Sequence, residues 1–189
     1  SSFVEKLKPN HAMNIKDAIK SMRTGRIKSP EKEGIIIKSY EKRGQNKKVF
    51  MSVGGPFERL IGKYGLWIIF ILNENVYSRA DFMATPFDSF YYDDTAEVEA
   101  NSVDIYTIKE YYKRYLLNVG SIERLRKAKG RIITDFPEGT VEGEIDVETE
   151  VETILVSEEY YDELIDDPEI SQSIKDKLVN VDKEYEVES

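Results

Sequence analysis

Between Val141 and Thr153 acidic and mostly β-branched residues alternate with a period of two. Glu142, Glu144, Asp146, Glu148, Glu150 and Glu152 are interleaved with Val141, Gly143, Ile145, Val147, Thr149, Val151 and Thr153. Two is the strand period, so an extended chain places all six carboxylates on one side and the apolar residues on the other. Carboxylates on one side of a strand lie roughly 6.6 to 6.8 Å apart, and each neighbouring pair repels by about 0.6 kcal/mol in water before screening. The expectation is a regular negative array with Ile145, Val147 and Val151 buried behind it.

Charge is unevenly divided along the 189 residues. Residues 1–80 carry 16 Lys and Arg against 7 Asp and Glu, residues 81–134 carry 8 against 9, and residues 135–189 carry 3 against 20. The net charges are therefore +9, -1 and -17, which sum to the -9 of the whole chain. This suggests a basic-to-neutral α+β unit at 1–134 and a strongly acidic strand with helices at 135–189, packed on the same domain.

The longest apolar run, Leu66 to Leu72, is seven residues, far short of the roughly 20 that span a bilayer as a helix. It reads as a buried central strand, and no membrane partner is expected. The chain has no cysteine and no leader-like start, which fits a reducing, cytoplasmic setting.

Local signals give an α+β fold with a mostly antiparallel sheet covered by short helices. Asn14 is an N-cap for a helix that stops at Gly25. Residues 35–40 and 48–53 read as two strands joined by a polar loop, and Gly143 marks a bulge or a break. Thr107 and Glu110 match a capping box that opens a helical hairpin at about 107–129. Ser157 caps one C-terminal helix and Asp167-Pro168 opens a second. Residues 73–106 have weak periodicity and many turn formers.

Catalytic signatures fail. Gly55 and Gly62 enclose six residues where a P-loop has four, and Tyr64 stands where its magnesium-binding hydroxyl belongs. His11 is the single histidine, near an N-terminus read as mobile, so histidine triads and two-histidine metal centres are excluded. The expectation is no enzyme, no cofactor and no metal.

The acidic alternation has four readings. It is a solvated sheet face, a docking face for a basic partner, a lid over the basic half, or, least well matched to a straight strand, a calcium site. The leading expectation is a non-catalytic regulator. Its Glu142, Glu144, Asp146, Glu148, Glu150 and Glu152, with Tyr91 and Tyr92, dock on a basic protein surface such as a transcription factor or polymerase subunit. In composition the chain resembles phage proteins that inhibit or redirect host transcription, a likeness that assigns no residue. The alternative is a weak nucleic-acid-binding module that uses Lys38, Lys42, Arg43, Lys47, Lys48, Arg124, Arg126 and Lys127, with the acidic third suppressing it.

Overall fold

The computed structural model describes residues 8–53, 67–86, 89, 92–110 and 137–181. The first strand, β1 (Pro9–Asn14), leads directly into helix α1 (Ile15–Thr24). Asn14 accepts the Asp17 N–H at 2.8 Å, and Gly25 ends the helix in the left-handed region at φ 73°. Both ends are where their cap chemistry puts them. The short strand β2 (Arg26–Lys28) follows.

Residues 38–43 and 45–47 are 3-10 turns, not the strand that the apolar run Ile35 to Ile37 suggests. The reason is a missing edge. Strand β3 (Lys48–Val53) is paired on one side by β1 and on the other by β6 (Glu138–Glu142), so no strand from residues 35–40 can join it. The Asn46 side chain stands in for a neighbour, accepting the Ile37 N–H at 3.0 Å and donating to the Ile37 carbonyl at 3.1 Å.

The apolar run forms β4 (Trp67–Leu72), in which Ile68, Ile69 and Phe70 are fully buried. The described residues between 73 and 106 are well organised. They hold a 3-10 helix at Glu74–Ser78, strand β5 (Met83–Thr85) and helix α2 (Thr95–Ala100), which Asp94 caps through the Glu97 N–H at 2.8 Å. Residues 105–110 are helical, and Asp104 accepts the Thr107 N–H at 2.7 Å, so Asp104 is the capping residue in place of Thr107. The remainder of the expected hairpin lies outside the described residues.

The acidic alternation is not one strand. Gly143, at φ 76°, separates β6 from β7 (Glu144–Asp146), and a single helical turn, α3 (Val147–Glu150), separates β7 from β8 (Val151–Val156). Asp146 caps that turn by accepting the N–H groups of Glu148 at 2.9 Å and Thr149 at 3.3 Å. A side-chain oxygen offering itself to nearby N–H groups competes with strand pairing, and here it wins. Burial still alternates, with Ile145, Val147 and Val151 no more than 2% exposed.

Helix α4 (Glu158–Ile165) starts after Ser157 as its sequence suggests. The next helix, α5 (Gln172–Lys175), begins after Ser171, which accepts the Ile174 N–H, rather than at Asp167-Pro168, where Asp167 accepts the Glu169 N–H at 2.9 Å in a turn and pairs with Arg23 at 3.0 Å. Strand β9 (Leu178–Asn180) closes the fold.

Seven strands form one sheet in the order β5-β6-β3-β1-β4-β8-β9, antiparallel except for the β8–β9 pair, and β2 pairs with β7 beside it. Mixed helices and a largely antiparallel sheet make the fold α+β. Because opposed residues share a face, the register sorts the side chains. Val49, Met51, Ile68, Phe70, Val141, Ile154 and Val156 form the main core, against which Ile15 and Ile19 of α1 and Tyr160, Tyr161 and Ile165 of α4 pack. The opposite face carries Phe50, Ser52, Glu138, Thr140 and Thr85, and the 38–47 turns and α2 lie over it. Among the described residues no helix is long and apolar enough to cross a membrane.

Candidate functional site

On that second face the strands, the 3-10 turns and α2 line a narrow, partly open cleft. Its floor mixes polar and apolar groups because β3, β5 and β6 turn their non-core positions toward it: Lys48 and Phe50, Met83 and Thr85, Glu138 and Thr140. The period of two that buries Val49, Met51 and Val141 on one side therefore builds the site on the other.

The walls are joined by a chain of hydrogen bonds. Arg43 Nε donates to Gln45 Oε1 at 3.2 Å, Gln45 Nε2 donates to Ser89 Oγ, and the Ser89 N–H donates to Glu138 Oε1 at 3.3 Å. Gln45 is 2% exposed and Ser89 3%, so this polar relay sits deep in the protein. Buried polar groups that satisfy one another fix a single geometry, and the group fixed here is the Glu138 carboxylate.

Two cations border the cleft, and they differ in kind. Arg43 is committed to scaffold, since its remaining nitrogens donate to the carbonyls of Tyr92 at 3.4 Å and Ser39 at 2.7 Å. Lys48 stands opposite Glu142 in the β3–β6 register without forming an ion pair with it, and its Nζ lies 3.8 Å from Met83 Sδ, a weak acceptor. A half-buried ammonium facing hydroxyls, a carboxylate and the Phe50 ring is chemistry suited to a phosphorylated sugar.

The sequence-derived candidates fall in several places. Arg43 and Lys48 line the cleft, while Lys38, Lys42 and Lys47 are exposed on the turns that form its wall. Tyr92 is 6% exposed, so its ring is core-facing rather than available to a partner. Tyr91, Arg124, Arg126 and Lys127 lie outside the described residues.

The acidic residues do not form a free array. Arg26 pairs with Asp146 and lies 3.7 Å from Glu144, Arg79 lies 3.0 Å from Glu150, and Lys8 lies 2.8 Å from Glu152. Glu148 accepts from Ser171 at 3.0 Å and Ser173 at 2.7 Å, and these two hydroxyls hold its pKa below the usual carboxylate value. At Glu142 the backbone is engaged, its N–H by Asp81 at 3.1 Å and its carbonyl by Arg79 at 3.3 Å. Asp81 and Asp146 are both partly removed from water, which raises their pKa, yet their arginine and backbone N–H partners outweigh this and the net shift is downward. The basic and acidic thirds answer one another.

His11 is not at a mobile end. It stands in β1, between β3 and β4, with Nδ1 bonded to the Phe50 carbonyl. Loss of water around the ring lowers its pKa, opposed by that bond and by Asp17.

Sequence reasoning missed Gln45, Ser89, Thr85, Glu138 and Thr140. One signal was present, since Glu138, Thr140 and Glu142 alternate with Gly139 and Val141, extending the period of two back through residues that look like a turn.

No family model matches the chain, and no curated protein matches it by sequence. Solved structures do resemble it. The DarT of Thermus sp. 2.9 in complex with NAD+ is similar with a TM-score of 0.56 at 12% identity, over 85% of this chain and 87% of that one. The same protein in complex with ADP-ribosylated ssDNA gives 0.54 at 10% identity over 85% and 87%. Thermosipho africanus DarTG in complex with ADP-ribose gives 0.54 at 14% identity over 92% of this chain and 49% of that one. At such identities the likeness is one of fold.

It corrects the functional expectations drawn from charge. The non-catalytic regulator, the absence of enzymatic activity and the transcription inhibitor of viral type give way, and nothing supports a transcription factor or polymerase subunit as partner. The structures sharing this fold are complexes with a dinucleotide, with its ADP-ribose portion and with ADP-ribosylated DNA. The charge argument fails for a physical reason as well, because five of the six carboxylates that motivated it are held by partners within the chain.

Proposed function

We propose that this protein is an ADP-ribosyltransferase that uses NAD+ as donor and a single-stranded nucleic acid as acceptor. The observation that carries the reading is the shared fold with a DarT solved with NAD+, over 85% of this chain, together with a cleft on the sheet face that a carboxylate, a lysine and two threonines help to line. Fold alone does not assign chemistry, so the residues of the cleft must supply it.

Transfer breaks the bond between nicotinamide and C1 of its ribose, and the electron pair leaves on the nicotinamide nitrogen, which becomes neutral. The acceptor atom bonds to the same carbon and releases a proton. Positive charge builds on the ribose as the bond stretches, so a fixed carboxylate beside the ring stabilises the transition state, as in glycoside hydrolysis. Glu138, held by the Ser89 N–H, takes that role and can accept the proton of the incoming nucleophile. Lys48 answers the diphosphate, Thr85 and Thr140 meet ribose hydroxyls, and Phe50 and Met83 offer an apolar wall to a flat ring. The cleft is narrow in this structure, with enclosed room for little more than a water molecule, so its walls must part to admit one nucleoside half of NAD+, with the remainder along its open side. Lys38, Lys42 and Lys47, exposed on the adjoining turns, lead the phosphates of the acceptor to it.

The test is incubation of the full chain with NAD+ labelled in its adenylate and a set of single-stranded oligonucleotides. Expected are label on the oligonucleotide and release of nicotinamide, both lost in Glu138→Gln. The absence of both transfer and calorimetric NAD+ binding in the native protein would overturn the reading.

A further inference from the structure

Ile35 is 54% exposed and Ile36 74%, which makes adjacent large apolar side chains open to water. Their exposure is not looseness. The Ile35 N–H donates to the Pro30 carbonyl at 2.9 Å, and the Asn46 amide grips Ile37 from both sides at 3.0 and 3.1 Å. The turn before them is fixed by Gly34 at φ 74°, where the Gly34 N–H donates to the Glu31 carbonyl at 3.0 Å. A pair of isoleucines held out between two backbone clamps is presented, not frayed.

The same segment carries four exposed lysines, Lys32, Lys38, Lys42 and Lys47, and none has a carboxylate within ion-pair distance among the described residues. Of the nearby acids, Glu33 is already paired with Lys20, Glu31 and Glu41 lie on the same segment, and Asp93 and Asp94 stand at the start of α2, where Thr95 donates to the Lys42 carbonyl at 3.1 Å. The same segment runs on through Arg43 and Gln45 into the wall of the cleft. An apolar tip ringed by unpaired ammonium groups fits a ligand with regularly spaced anions and exposed flat apolar faces, and a single-stranded nucleic acid has both.

Resting on the acceptor class proposed above, we infer that Ile35 and Ile36 form a wedge that enters between neighbouring bases of the single strand, while Lys38 and Lys42 take the flanking phosphates. The wedge parts the strand beside the cleft and sets which base faces it. Its contribution to affinity is apolar and independent of salt, and that of the lysines is electrostatic.

The two are separable by titrating a fluorescent single strand into the full-length protein at several salt concentrations. Ile35→Ser/Ile36→Ser should weaken binding at least about tenfold at every salt concentration, with an unchanged slope of log affinity against log salt. Lys38→Gln/Lys42→Gln should instead reduce that slope, by about 0.7 for each phosphate that is no longer neutralised. Calorimetric NAD+ binding and thermal melting should be unchanged in both. Equal affinity of the Ile35→Ser/Ile36→Ser variant and the native protein would overturn the wedge while leaving the donor and acceptor assignments standing. A native protein that binds NAD+ but no single strand would overturn the acceptor class and the wedge together. Retention of the isoleucine tip by anionic vesicles instead of oligonucleotides, or a dimer in sedimentation that the Ile35→Ser/Ile36→Ser variant dissolves, would overturn the wedge and reassign the patch to a membrane or to a second copy.

Discussion

Arg79 Nη1 lies 3.0 Å from Glu150 Oε2, across 71 positions of sequence, and the same guanidinium donates to Asp81 at 2.8 Å and to the carbonyls of Glu144 at 3.1 Å and Glu142 at 3.3 Å. One planar cation thus ties the segment before β5 to β6, β7 and α3. Its bonds to Asp81 above all, and to Glu150, raise its pKa against the desolvation that lowers it.

Replacing Arg79 with Met should destabilise the fold by about 2 kcal/mol, the scale of charged hydrogen bonds left without a partner at a half-buried site. Neutralising Glu144, Asp146 and Glu150 together, as Gln, Asn and Gln, should also lower stability. A free array would give the opposite result by relieving repulsion. Urea unfolding of the variants decides between the two.

Within the cleft, Glu138→Gln should cut the rate of ADP-ribose transfer by about 10²- to 10³-fold with little change in NAD+ affinity, since it removes charge needed in the transition state. Lys48→Ala should chiefly raise KM for NAD+, by about tenfold, because a diphosphate is bound equally before and during reaction. Initial rates over a range of NAD+ concentration separate the two effects.

Gly139 fills a different need. A Cβ there would stand 2.7 Å from Phe82 Cε2 and 3.0 Å from Met51 Cγ, beneath the strand that carries Glu138 and Thr140. Gly139→Ala should therefore cost about 1 to 3 kcal/mol through overpacking. Trimming Phe82 to Leu in the same chain should recover part of the loss, measurable by thermal melting.

His11 has a pKa below its ordinary 6.5 in the folded chain, mainly because the ring is deprived of water. The unfolded chain therefore binds the proton more readily, and stability falls as pH drops from about 6.5 toward the folded value, then levels off. His11→Gln should flatten that part of the profile. Identical pH dependence of the two proteins between about pH 5 and 7 would assign the acid sensitivity elsewhere.

Whatever depends on neighbours a few positions away was legible along the chain. Asn14 and Gly25 bound α1, Ser157 starts α4, Leu66 to Leu72 contains the central strand, and the alternation from Ile145 to Val151 buries the residues it should. Each rests on local hydrogen bonding or on the pleat of a strand. It took the assembled sheet to leave residues 35–40 without an edge to pair with, because β1 and β6, which flank β3, come from distant parts of the chain. The same assembly lets Arg26, Arg79 and Lys8 answer the carboxylates that look free in sequence, and brings Gln45, Ser89 and Glu138 together. Charge and polarity can be counted along a chain, but whether a charge faces solvent, a counter-ion or a substrate depends on which distant segments the sheet brings beside it, and that is a property of topology.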